Sequence, residues 1–272
     1  MNFHFIQKHI IMTTVIVPID FSPISVHTAH YAAQLLVGHH GVNILLYHCY
    51  AKISEETAVK KSLEELRKEL IANCFVSIEI VAHQGDDFVE ELQRAVRHRK
   101  ADLIIMGIKG KSALAKAIYG SNTIKMVDSK VCPILIIPPE ASFQALRNVM
   151  LTSDFKETTK TTPTEPIKDF LSIFNPKLHI VNVDKDHYIS LTTSYEKEKN
   201  ILVEMFKDYH PEFYFMRLYD VNEALTLFAK DKEIDLLIVI RRDETLMQKL
   251  FKHSHTKALS YLSKIPLLVM HK

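Results

Sequence analysis

The chain has no apolar run approaching the roughly 18 residues that a helix needs to cross a bilayer, although 47% of its 272 residues are hydrophobic. No membrane partner is expected. It has little net charge: 34 Lys and Arg against 32 Asp and Glu leave +2. That balance gives no push toward nucleic acid or an anionic surface. Cysteines are few and odd in number. Cys49, Cys74 and Cys132 lie in or beside apolar segments and lack metal-ligand spacing, which reads as reduced core thiols in a cytoplasmic protein. The start, Met1 to Met12, lacks a long apolar core and a small-residue cleavage site, so no signal peptide is expected. A P-loop is missing too. Gly110-Lys111-Ser112 matches its end, but Ile105 occupies the place of its first glycine, and no G-x-G-x-x-G stands here either.

The sequence repeats itself. Asp102-Leu-Ile-Ile-Met-Gly107 aligns with Asp235-Leu-Leu-Ile-Val-Ile240, 133 residues later, and Cys132-Pro-Ile-Leu-Ile-Ile137 aligns with Ile265-Pro-Leu-Leu-Val-Met270 at the same offset. Val15-Ile-Val-Pro-Ile-Asp20-Phe21 aligns with Val149-Met-Leu-Thr-Ser-Asp154-Phe155. A period this long means two homologous domains, not a short-repeat solenoid. The expected organisation is an extension over 1–12, a first domain over 13–140 and a second over 146–272. Pro138-Pro139 marks the break.

Each half alternates short Val- and Ile-rich runs with helical patterns. In the first half the strands are expected at Thr14–Ile19, Val42–Cys49, Val76–His83, Asp102–Gly107 and Ile134–Pro138. In the second they are expected near Asn148–Thr152, Leu178–Val183, Phe213–Leu218, Asp235–Ile240 and Leu267–His271. Ser22-Pro23 offers an N-cap and a first-turn proline, and Leu63, Leu66 and Leu70 keep helical spacing. The polar stretch Lys156–Thr164 is expected to loop out. Strands alternating with helices imply α/β folding, with right-handed crossovers and two tandem open parallel five-stranded sheets covered by helices on both faces. The last strands, Ile134–Pro138 and Leu267–His271, are the expected contacts of an internal pseudo-twofold pair. The chain is then its own dimer, or dimerises again.

The most informative motif is Gly107-x2-Gly110-x9-Gly120-Ser121-Asn122. It runs from the carboxyl end of one strand to the start of a helix. Glycines let a backbone approach an anion closely, and free N–H groups at a helix start face it. Two unrelated turns would leave the same spacing. Lys109 and Lys111 could neutralise phosphate or merely be solvated. In open α/β sheets a ligand sits beyond the carboxyl ends of the strands, where strand order reverses. Pro18-Ile19-Asp20 ends strand 1, so Asp20, Gly107, Gly110 and Ser121 would surround one pocket. Asp20 could hold a ribose hydroxyl or a metal ion, or simply close a strand–helix turn.

These residues resemble the universal stress protein family in its ATP-binding branch, strongly over 13–138 and more weakly over 146–272. The resemblance implies the Rossmann-like sheet order 3-2-1-4-5, related to that of the adenine nucleotide alpha hydrolases. It implies an ATP site, with Mg²⁺ or Mn²⁺, formed by Pro18, Asp20, Cys49, Gly107, Gly110, Gly120, Ser121 and Asn122. His48-Cys49 matches a pair whose second residue contacts adenine through its main chain, so cysteine is compatible there. In the second half Ile240, Asp243 and His253 replace the three glycines, while Asp154 and Ser254 remain. That half is expected to keep the fold without ATP. His253, Ser254 and His255 lack a further ligand and read as a solvated helix start. The resulting function is a cytoplasmic stress sensor or regulator with an unidentified protein partner. The alternatives are a slow ATPase or phosphotransferase, for which no arginine finger and no base beyond Asp20 is visible, and a nucleotide-independent scaffold.

Overall fold

The computed structural model describes residues 12–108, 121–184, 193–217, 221–241 and 264–272. In the first half the strands are β1 (Thr14–Pro18), β2 (Asn43–Tyr50), β3 (Ser77–Gln84), β4 (Leu103–Gly107) and β5 (Ile134–Ile137). Between them lie helices α1 (Pro23–Leu35), α2 (Glu56–Asn73), α3 (Phe88–Arg99) and α4 (Ser121–Ser129). The second half adds β6 (Asn148–Thr152), β7 (Lys177–Asp184), β8 (Glu212–Arg217), β9 (Leu236–Ile240) and β10 (Leu267–Met270). Its described helices are α5 (Thr158–Thr161), α6 (Thr164–Phe174), α7 (Thr193–Met205) and α8 (Val221–Asp231).

All neighbours within a half pair in parallel, in the order β3-β2-β1-β4-β5 and its mirror β10-β9-β6-β7-β8. The two sheets expected from the sequence are in fact one. β5 and β10 pair antiparallel, with Leu267 opposite Ile136, Leu268 opposite Leu135 and Val269 opposite Ile134, so a single sheet has ten strands. The physical reason is that each run is the open edge of its own half. An apolar edge with unpaired N–H and C=O groups is stable only when covered or paired.

Side chains alternate across the sheet, which sorts the core into two layers. Leu135, Leu268, Val15, Val17 and Ile44 face α1, α2 and α6. Ile134, Ile136, Ile16, Leu45 and Val269 face α3, α4 and α8. Both layers run across the seam.

The repeat persists in local detail. The Asp102 carboxylate accepts from the backbone N–H groups of Thr13 and Thr14 at 2.8 and 3.0 Å, and the Asp235 carboxylate does the same for Arg147 and Asn148 at 2.7 and 2.9 Å. Phe21 and Phe155 both take left-handed backbone, at φ 59° and 51°, as do Lys100 and Glu233 at 50° and 48°. The second of each pair shows that this half folds through such positions without glycine; all six glycines lie before residue 121.

The stretch Lys156–Thr164 does not loop out. Thr158–Thr161 forms α5, Thr158 is fully buried, and the Glu198 carboxylate on α7 accepts from its backbone N–H at 2.8 Å and from its hydroxyl. A carboxylate on the free N–H groups of a helix start offsets what a polar threonine-rich sequence lacks in apolar contact.

Just past β10, the His271 ring is largely buried within the field of Arg241, Lys130 and Asp128. Burial, reinforced by Arg241 and Lys130, pushes its pKa down to about 4 from 6.5. The unfolded chain therefore takes up the proton first as pH falls. This stability contribution is complete above about 6.5 and is lost as pH drops through the folded value near 4. Thermal unfolding followed from pH 7 to 4 should show a steeper decline for the wild type than for His271→Asn. Equal slopes would exclude His271 as the source.

Candidate functional site

The site grows from a break in the sheet. β1 pairs with β2 along its whole length, from Thr14 to Pro18, but with β4 only at Val15 and Ile16. Pro18 has no N–H to offer and ends the strand, so β1 and β4 part toward their carboxyl ends. This is the point where strand order reverses. In the second half Thr152 stands at the same place, and its hydroxyl reaches the Ile238 carbonyl of β9 at 3.4 Å. There the gap is bridged from within the protein.

Asp20 follows directly. Its Oδ1 accepts from the Ser22 N–H at 3.0 Å and from the Ser22 hydroxyl. Ser22 caps α1, and its Oγ accepts from Ser25 N–H at 3.4 Å. Burial opposes the charge on Asp20, but the hydroxyls of Ser22 and Ser25 and the Ser22 N–H outweigh it and hold the pKa below the ordinary aspartate value. Asp20 is therefore an anion at neutral pH. It is exposed, and both bonds from Ser22 fall on Oδ1. The turn-closing role is equally present: Asp154 Oδ1 accepts from Lys156 N–H at 3.0 Å in the second half. Asp20 thus closes a turn and remains an exposed carboxylate at the strand end.

His48 supports the same corner. Its Nδ1 donates to the Ile19 carbonyl at 2.6 Å, and because a carbonyl only accepts, that nitrogen carries the proton. Asn182 makes the corresponding bond to the Ser153 carbonyl at 2.9 Å. Two different residue types do one job, which no alignment of types reveals. Tyr47 turns its carbonyl toward β1, accepting from Ile19 N–H at 2.8 Å, whereas Tyr50 turns its own toward β3, accepting from Gly85 N–H at 3.0 Å. By the two-residue period of a strand, the main-chain groups of Cys49 face the β1 side, past the last β1 pairing. The Cys49 thiol points elsewhere and donates to the Gly85 carbonyl at 3.4 Å. Burial, with Glu91 nearby, raises its pKa. Main-chain contact is what this position can offer.

Gly107 ends β4. Its carbonyl accepts from the Thr123 hydroxyl at 3.0 Å, which ties the first turn of α4 to the strand. Thr123 is 3% exposed. A Cβ at Gly107 would lie 2.6 Å from Ile24 Cγ1, 2.7 Å from Thr28 Oγ1 and 3.2 Å from the Ile24 carbonyl oxygen. Helix α1 therefore sits against this strand end, which gives the glycine a packing reason independent of any ligand. In the second half Ile240 belongs to the core layer that holds Phe155, Ile167 and Phe170.

Pro18, Asp20, Gly107 and the main chain of Cys49 thus gather at the carboxyl ends of β1, β2 and β4. Asn122 is exposed in the first turn of α4, and Ser121 opens that helix. Gly110, Gly120, Lys109 and Lys111 lie outside the described residues, as do Asp243, His253, Ser254 and His255. Thr123, His48 and the α1 residues Ile24 and Thr28 are supports that the glycine spacing does not signal. No group of three or more His, Cys, Asp or Glu able to hold a metal occurs among the described residues, and no helix among them is long and apolar enough to cross a membrane.

Comparison with known proteins places this arrangement. The model of the Universal stress protein family matches residues 12–138. A curated protein of Thermus aquaticus, named as the universal stress protein in the QAH/OAS sulfhydrylase 3′ region, is 31% identical over 108 residues, covering 36% of this chain and 79% of its own. Among solved structures, a universal stress protein from Archaeoglobus fulgidus DSM 4304 superposes with a TM-score of 0.65 at 17% identity, over 95% of this chain and 96% of that one. The cytoplasmic domain of a prokaryotic cation chloride cotransporter superposes with a TM-score of 0.56 at 7% identity, over 95% of each chain. Those two likenesses concern the fold alone, and the second shows how different the settings are in which it is used.

Proposed function

We propose, from the premise that the chain belongs to the universal stress protein family, that its first half binds one adenine nucleotide, ATP, and that the bound nucleotide regulates association with a protein partner in a cytoplasmic stress response. On this reading residues 13–140 and 146–272 are two domains of common origin, and only the first keeps a ligand site. The observation that carries it is the difference at the sheet break: open at Pro18 in the first half, bridged by Thr152 to Ile238 in the second.

The residues present fit the nucleotide. Cys49 presents main-chain groups for a base, and Asp20 presents an anionic oxygen for a ribose hydroxyl or for Mg²⁺ or Mn²⁺. The start of α4, with Ser121 and Asn122, offers N–H groups to phosphate; Gly110 and Gly120 would let the chain approach it. The nucleotide would act by differential affinity for two states of the chain, the only way a ligand shifts an equilibrium.

Titration calorimetry with ATP tests this. Wild type should bind, and Gly110→Asp, which brings in the carboxylate found at Asp243 in the second half, should bind at least about tenfold more weakly, equivalent to about 1.4 kcal/mol. Absence of binding to wild type, or equal affinity for both, contradicts the reading.

A further inference from the structure

We infer that Arg241 is a positioning residue for the nucleotide site, supplied by the half that has lost its own glycines. The inference rests on the reading above. Arg241 follows β9 directly, and its backbone N–H donates to the Met270 carbonyl at 2.9 Å, which fixes it to the end of β10. Its side chain then crosses the seam into the first half. Nη1 donates to the Val127 carbonyl at 2.8 Å and pairs with the Asp128 carboxylate at 2.6 Å. The Arg241 side chain is only 13% exposed, against 54% for Asp128, so the guanidinium is largely buried against the helix end while its carboxylate partner stays half in water.

Val127 and Asp128 lie in the last turn of α4. Carbonyls there lack helical partners and carry the negative end of the helix dipole. A carboxylate at that end is unfavourable by itself, and Arg241 offsets both the dipole and Asp128. The other end of α4 carries Ser121 and Asn122, and Thr123 ties it to Gly107. Nine residues make a rod of about 13 Å. One end faces the proposed phosphates; the other is gripped from the second half. Met126 and Val127 bury its inner side, at 0% and 3% exposed, so α4 is held against the sheet by packing and against rotation or sliding by the guanidinium. The retained second half thus has a use even without a ligand of its own: it sets where the helix start lies.

Arg241→Gln and Arg241→Lys, in the full chain, test this with two readouts at a temperature well below unfolding. One is ATP affinity by calorimetry; the other is hydrogen exchange of residues 121–129 against residues 43–50 of β2. Arg241→Gln should weaken ATP about tenfold, a coupling of the size seen between linked sites. It should also raise exchange in α4 and leave β2 unchanged. Arg241→Lys keeps the charge without the planar fork and should fall between Gln and wild type. Unchanged ATP affinity in Arg241→Gln overturns the inference, whether or not α4 exchange rises. A uniform rise in exchange, in β2 as in α4, also overturns it, because the residue is then merely structural. If wild type itself binds no ATP, the reading of the site fails together with this inference; a wild type that binds, with an Arg241→Gln that binds as well, fails this inference alone.

Discussion

Leu268→Ala is expected to lower stability by about 2–5 kcal/mol, the range for truncating a buried leucine where the surroundings cannot collapse. Leu268 is fully buried and stands opposite Leu135, also fully buried, at the antiparallel seam of β5 and β10. Both belong to the core layer that runs beneath α1, α2 and α6. Truncation leaves a void at the one place where the two halves share a sheet, and neither strand can shift without losing its pairing to β4 or β9. Denaturant unfolding should show the midpoint falling, and the effect should be larger than that of an alanine at exposed Leu227. A change under about 1 kcal/mol would mean that the seam contributes little, in conflict with a single ten-stranded core.

Gly107→Val should cost about 1–3 kcal/mol through overpacking. Two of the three atoms that its Cβ would meet belong to groups with little room to yield. The Ile24 carbonyl oxygen, at 3.2 Å, is helix backbone, and the Thr28 hydroxyl, at 2.7 Å, already donates to that carbonyl at 2.7 Å. Thr28 is fully buried. Thermal melts without nucleotide will reveal this cost, because it does not depend on a ligand. A Gly107→Val protein as stable as wild type would show that α1 does not press on the end of β4. The same cost makes Gly107 a poor probe of phosphate binding, whereas Gly110→Asp tests the ligand by charge.

Much of the fold is legible in sequence. Strand runs such as Val15-Ile-Val and Leu103-Ile-Ile are short, apolar and β-branched, and Asp102 and Asp235 recur at one offset because each pins the start of a first strand. Ser22-Pro23 announces α1 because N-capping is a local bond. The apolar runs and the cap depend on neighbours in sequence, and the recurring aspartates on the repeat. What escaped depends on residues far apart. Glu198 captures Thr158 from 40 residues away, so a polar stretch packs as α5. The pairing of the two last strands follows from their place in each half, but its antiparallel register, with Leu268 opposite Leu135, does not. Gly107 could be read for its motif, but its packing reason for being glycine lies on α1, and the comparison with Ile240, a core residue of the second half, does not show it. At the site, Asp20 is found by the family pattern, while His48 and Asn182 perform one bond with different side chains and leave no common letter. Pro18 brings no donor to the sheet break, whereas Thr152 brings a hydroxyl that reaches the Ile238 carbonyl.

Native mass spectrometry of the full chain in excess ATP counts the sites directly. One nucleotide bound per chain, lost in Gly110→Asp, is the predicted result. Two nucleotides per chain, or none, would contradict a single open crevice at the carboxyl ends of β1 and β4.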